Sequence, residues 1–142
     1  MFRGQHAILD ITGFVCNYAE GSDIVHNLMK ESVKLGTCRV VAEKKVLYDG
    51  SLSPPGFSSV LILDESHITC HCYSSEKENG MLGLDAFTCG TSDPSLMIDF
   101  IHDELIKLFP NIKTTKRYTL NRFAVSDEND SKSYSERVVF NT

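Results

Sequence analysis

Between residues 37 and 88 the chain offers four strand-like segments in succession, with no helical rhythm among them, and this run does most to fix the fold. Thr37 to Tyr48 is rich in β-branched residues, which favour a pleated, half-buried surface. Phe57 to Leu63 is a continuous apolar run, and Ile68 to Tyr73 and Met81 to Thr88 read as two further strands. Asp49-Gly50, Ser53-Pro54-Pro55-Gly56 and the polar stretch Ser74 to Gly80 separate them as turns and loops. Helical spacing appears on either side of the run. Asp23 to Lys34 places Ile24, Val25, Leu28, Met29 and Val33 on one face, with Ser22 or Asp23 as the expected cap and Gly36 past the end. Asp93-Pro94 opens a second helix, whose expected apolar face is Leu96, Met97, Phe100, Ile101, Leu105 and Leu108. His6 to Ile11 before the first helix and Asn111 to Phe123 after the second complete the order β-α-β-β-β-β-α-β. Such an order predicts an α+β fold, a two-layer sandwich of a mostly antiparallel sheet with two helices on one face.

A chain of 142 residues suits one domain with a real core. We expect that domain over residues 1–123 and a polar C-terminal tail over 124–142, with a short strand near residues 137–140. No apolar run approaches the roughly 18 residues of a membrane span. The start of the sequence lacks the pattern of a signal peptide, and the five cysteines form no Cys-x-x-Cys pair. Reduced thiols in a cytoplasmic protein are therefore expected. A net charge of -5 argues against nucleic acid as a partner, since phosphate binding needs clustered cations. Gly80-Met81-Leu82-Gly83 is too isolated to be a phosphate loop. His67, Cys70, His71 and Cys72 invite a metal test. On a strand, His67 and His71 face one way and Cys70 faces the other with Cys72, so this set does not close a tetrahedral zinc site, and no metal is expected.

The segments that carry chemistry are Gly56-Phe57-Ser58, Glu65-Ser66-His67-Ile68-Thr69-Cys70-His71 and Asp85-Ala86-Phe87-Thr88-Cys89-Gly90. With Gly4-Gln5-His6 near the start, their order and spacing resemble the small bacterial and archaeal S-adenosylmethionine decarboxylases. That family carries Gly-x-Ser before an apolar strand, then Glu-Ser-His-x-x-x-His, then Asp-x-Phe-Thr-Cys-Gly. The resemblance covers about residues 4 to 120.

The resemblance implies that the chain cuts itself between Glu65 and Ser66. The Ser66 hydroxyl would attack the preceding carbonyl and turn an inert amide into an ester. Elimination and hydrolysis would then leave a pyruvoyl group derived from Ser66, the expected cofactor, able to form a Schiff base with a substrate amine. His71 matches the family's processing base and Ser58 the residue that supports the rearranging carbonyl. Cys89 matches the proton donor, a role suited to a thiol whose reference pKa is about 8.5. Asp10, Glu65 and Tyr73 are the candidate substrate-binding residues. A homodimer of cleaved protomers is expected on the same ground.

Tyr73 to Gly80 departs from the family's aromatic-rich stretch, being polar and about three residues longer. Tyr48 or Phe57 is the candidate for an aromatic that family members carry before the Gly-x-Ser loop. Glu76 and Glu78 would suit a guanidinium or ammonium as well. The resemblance makes S-adenosylmethionine, in polyamine synthesis, the expected substrate, and the divergent segment makes arginine or ornithine the alternative. A non-catalytic homologue acting as a binding or regulatory subunit is the third reading.

Overall fold

Alternate residues of the central strands are buried, and the fold follows from that period of two. A computed structural model describes residues 2–124 and 138–140. Its strands are β1 (Phe2–Thr12), β2 (Val40–Tyr48), β3 (Gly56–Leu63), β4 (Ser66–Tyr73), β5 (Met81–Cys89), β6 (Lys113–Ala124) and β7 (Val138–Phe140). Helix α1 (Tyr18–Ser32) follows β1, and α2 (Pro94–Leu108) follows β5. The strands form one sheet in the order β2-β3-β4-β5-β1-β6-β7, and every neighbouring pair is antiparallel. The α+β expectation and the order of its elements hold, and the terminal segment adds the short seventh strand on β6. The rest of the expected tail lies outside the described residues.

Both helices pack on one face. Ala7, Leu9 and Ile11 of β1, Phe57 and Leu61 of β3, Ile68 and Cys70 of β4, and Leu82, Leu84 and Ala86 of β5 meet Val25, Met29, Met97, Ile98 and Ile101 in one core. The intervening residues of the same strands point away from the helices.

Three local expectations are corrected. Helix α1 begins five residues earlier than Asp23, at Tyr18, and its cap is Asn17, whose side chain accepts from the amides of Ala19 and Glu20. Gly21, which lowers helix propensity, is there for packing. A Cβ on it would stand 2.5 Å from Cys16 Sγ and 3.2 Å from the Phe57 ring. In α2 the buried face is Pro94, Met97, Ile98, Ile101 and Leu105, while Leu96 and Leu108 are exposed. The expected cap Asp93 does accept from the Ser95 amide. Phe57 is fully buried against the helices, so of the two aromatic candidates only Tyr48 can serve the other face.

Candidate active site

The bond expected to break lies in a two-residue hairpin turn. Leu63 and Ser66 are the last paired residues of β3 and β4, so Asp64 and Glu65 alone make the connection. Glu65 is left-handed, with φ 65. Side chains other than glycine adopt this region seldom, at a cost of about 1–2 kcal/mol. The turn is held from outside: the Asp64 carboxylate accepts from the Arg39 amide at 2.7 Å, and Arg39 lies alongside as an ion pair. The Arg39 amide is the main cause that lowers the Asp64 pKa.

Ser66 follows directly and is almost completely buried. Its hydroxyl oxygen accepts from the Cys89 amide at 3.3 Å. Ser66 and Cys89 line one cleft of about 340 Å³ together with Thr37, Cys38, Glu65 and Ser92. Cys38 Sγ lies 3.5 Å from Ser92 Oγ, and the Thr88 hydroxyl donates to the Ser92 carbonyl at 2.7 Å. The loop after β5 is therefore tied to the cleft. Cys38 and Ser92 were not singled out from the sequence, because nothing local links them to Ser66.

Ser58 and His71 form a second cluster. They are paired across β3 and β4, with Ser58 Oγ 2.6 Å from His71 Nδ1. Tyr48 Oη shares a hydrogen bond with the same Ser58 hydroxyl. The three side chains thus form a chain from the edge strand to the imidazole, on the face without helices. Ser59, which could have replaced Ser58, is buried on the helix side.

The structure brings Ser66 and Cys89 together, and Ser58 and His71 together, but it separates the two pairs. His71 lies five residues beyond Ser66 on β4, which at strand rise is about 16 Å. An odd separation also places the two side chains on opposite faces of the sheet. The substrate-binding candidates divide in the same way. Glu65 lines the Ser66 cleft. Asp10 lines a separate hollow of about 260 Å³ with Gly83 and Thr115, and Tyr73 is exposed at the far end of β4. The divergent segment is also remote. Glu76–Glu78 is a short 3-10 turn joining the far end of β4 to β5, with the neighbouring Asn79 and Gly80 carbonyls accepting from Gly13 and Phe14. Within one chain, Glu76 and Glu78 do not approach the Ser66 cleft. The four-residue set tested for metal is split as expected, with Cys70 and Cys72 in the core. Burial pushes the Cys70 thiol up to about 12 and raises the Cys72 thiol as well.

The site therefore joins a left-handed Glu65 to a buried Ser66, beside the Cys89 amide, at one end of an α+β layer. The model of the S-adenosylmethionine decarboxylase family matches residues 5–118, and the chain belongs to that family. Its relatives include the S-adenosylmethionine decarboxylase proenzyme of Thermococcus onnurineus, 31% identical over 115 residues, covering 80% of this chain and 77% of the relative. The proenzyme of the same name from Clostridium botulinum is 29% identical over 106 residues, covering 74% of this chain and 85% of the relative. That from a Geobacillus species is 30% identical over 102 residues, covering 72% and 77%. No helix among the described residues is long and apolar enough to cross a membrane.

Proposed function

We propose that this chain is a self-processing, pyruvoyl-dependent S-adenosylmethionine decarboxylase that makes the aminopropyl donor for spermidine synthesis. The observation that carries the reading is the Glu65–Ser66 bond itself. It joins a left-handed glutamate to a buried serine whose hydroxyl is held by the Cys89 amide, in a chain of this family. The five free cysteines fit a reducing, cytoplasmic setting.

In processing, Ser66 Oγ adds to the Glu65 carbonyl and the Ser66 nitrogen leaves, so the amide becomes an ester. A base then takes the Ser66 α-proton and the Glu65 carboxylate departs. The dehydroalanine left behind takes up water and releases ammonia, leaving a ketone at the new terminus. The cleft fits that group: it is small and lined by Cys38, Cys89 and Glu65, whose α-carboxylate cleavage would release there. When formed, the pyruvoyl group supplies an electron sink for loss of a carboxylate. Cys89 holds a proton for the carbon that loses it. Glu65 offers a carboxylate to the substrate's polar atoms, as Asp10 and Tyr73 do on the open face.

His71 is the processing base and Ser58 supports the carbonyl oxygen, through the hydrogen bond that orients the imidazole. Their separation from Ser66 within one chain favours a homodimer in which each Ser66 is served by the partner subunit's His71. Such an arrangement is isologous, each copy giving and receiving the same groups. The family and its relatives carry S-adenosylmethionine in their names, so that substrate is preferred to arginine or ornithine.

Intact mass of the purified protein tests the reading. Two fragments are expected, one ending at Glu65 and one bearing a terminal ketone, and Ser66→Ala should remain a single folded chain. A wild-type chain that stays whole through long incubation at neutral pH would overturn the enzymatic reading. Release of labelled carbon dioxide from S-adenosylmethionine, arginine and ornithine, offered separately to processed protein, then tests the substrate.

A further inference from the structure

A third constellation sits on the open face, and the steps proposed above give its side chains no role. His67 on β4, Asp85 on β5 and His6 on β1 come from three adjacent strands in the middle of the sheet. The register sets both His6 and His67 opposite Phe87, one from each side. Their rings flank the Phe87 ring at centroid distances of 5.9 and 5.7 Å. Asp85, two residues away on the same face, meets them both. His6 Nε2 is 2.7 Å from Asp85 Oδ2, and His67 Nε2 is 3.7 Å from the same oxygen. The Thr69 hydroxyl donates to the other oxygen, Oδ1. One ring nitrogen from each histidine and one carboxylate oxygen all lie within 4.8 Å of one another.

We propose that His6, His67 and Asp85 form a binding site for a divalent cation of the zinc type. Two imidazole nitrogens and one carboxylate oxygen are a donor set that zinc accepts, at about 2.0–2.2 Å from the ion. Donors at that radius lie roughly 3.3 Å apart in a tetrahedron, so an ion would replace the 2.7 Å hydrogen bond between His6 and Asp85, opening that pair, while His67, at 3.7 Å, closes in. Magnesium and calcium prefer oxygen donors throughout and are disfavoured here. Thr69 takes the part of an outer hydrogen-bond partner, fixing the carboxylate that would bind the ion. The scaffold is stiff, because the three residues are held by β-sheet pairing rather than by loops. Within one chain all three side chains keep part of their surface open, with 19%, 38% and 27% exposure for His6, His67 and Asp85, which leaves room for a fourth donor. This set shares only His67 with the four-residue set considered from the sequence. It depends on strand order, which brings β1 beside β5.

The site does not rest on self-cleavage, and it is tested by binding rather than by activity. Protein stripped with a chelator is titrated with Zn2+ by calorimetry and with Co2+ by visible absorption. One ion per chain is expected, with a Co2+ spectrum of nitrogen and oxygen ligands and no thiolate band. Asp85→Asn and His67→Ala should each weaken Zn2+ binding by at least about 100-fold, and Thr69→Ala by about tenfold. Cys89→Ser and His71→Ala should leave it unchanged. Circular dichroism checks that each variant is folded. The wild-type histidine signals in NMR give the same test without substitution, since His6 and His67 should shift with Zn2+ while the distant His102 does not. Absence of stoichiometric binding, binding that survives Asp85→Asn and His67→Ala, or binding lost in Cys89→Ser would overturn the proposal.

Discussion

The helix-covered face of the sheet and its open face are made by the same strands, one residue out of step. The covered face presents Leu61, Ile68, Cys70, Leu84 and Ala86, each almost wholly excluded from solvent. The open face presents Ser58, His67, Thr69, His71, Asp85 and Phe87 from those same strands, and among the described residues no helix packs on it. Every polar side chain of this second set is thus positioned by a neighbour locked into the core. The difference shows how a small chain can hold polar groups rigidly without enclosing them. It is also the ground for the proposal that two copies complete each site. Ser66 is drawn to the covered side at one end of β4, while His71 stands on the open side about 16 Å away.

The largest effect expected from this division is a rescue between two dead variants. His71→Ala keeps Ser66 but lacks the base, and Ser66→Ala keeps the base but cannot be cut. Purified alone, neither should yield fragments. Co-expressed, they should form mixed dimers in which the intact His71 of one copy serves the Ser66 of the other. Mass spectrometry should then find fragments of the His71→Ala chain alone. If the mixed preparation stays uncut although mixed dimers are isolated, His71 does not act across copies.

A smaller effect separates the faces by stability. Leu61→Ala leaves a cavity between the sheet and α1 and should cost about 2–5 kcal/mol in chemical denaturation, at any protein concentration. Ile62, its neighbour on β3, is half exposed on the open face. Ile62→Ala should cost under about 1 kcal/mol in dilute protein. Its cost should rise with protein concentration if a second copy covers this face, because dimerisation stabilises the fold by mass action. Equal and concentration-independent costs for the two variants would erase the distinction between the faces.

Much of this was legible in the sequence, and the rest failed for identifiable reasons. The strand run from residue 37 to 88 and its turn signals led to the sheet, and the Asp93-Pro94 signal marked the start of α2 because capping is local. The start of α1 was misplaced because Ser22 or Asp23 reads as its cap, whereas Asn17 caps it and Gly21 lies inside it, where Cys16, Phe14 and Phe57 crowd the position. The Ser58–His71 pair was within reach. A two-residue turn at Asp64-Glu65 sets Leu63 against Ser66, and counting outward five residues sets Ser58 against His71. The His6–His67–Asp85 group was not, because it needs β1 to return beside β5, and no local signal carries that. The distance between Ser66 and His71 follows from strand rise alone, but it matters only once both residues are known to lie on one unbroken strand.

The smallest effect tests the turn where the two faces exchange roles. Glu65 holds φ 65 in a two-residue hairpin between paired Leu63 and Ser66. Glycine adopts that region without a Cβ penalty. Glu65→Gly should therefore stabilise the uncut chain, by up to about 1 kcal/mol after glycine's greater loss of freedom on folding is subtracted. Strain released in the starting state is no longer available to the step that opens the bond. Self-cleavage should accordingly slow by about fivefold, the rate equivalent of roughly 1 kcal/mol. The carboxylate is lost in the same substitution, so Glu65→Ala is the control. Alanine keeps a Cβ and the strain but removes the charge, and it should cleave at close to the wild-type rate. Denaturation of each variant in a Ser66→Ala background gives the stability of the uncut turn, and fragment formation over time in the Ser66 chains gives the rate. If Glu65→Ala slows as much as Glu65→Gly, the carboxylate rather than the backbone promotes cleavage. If Glu65→Gly is no more stable than its parent, the left-handed turn stores nothing that cleavage can use.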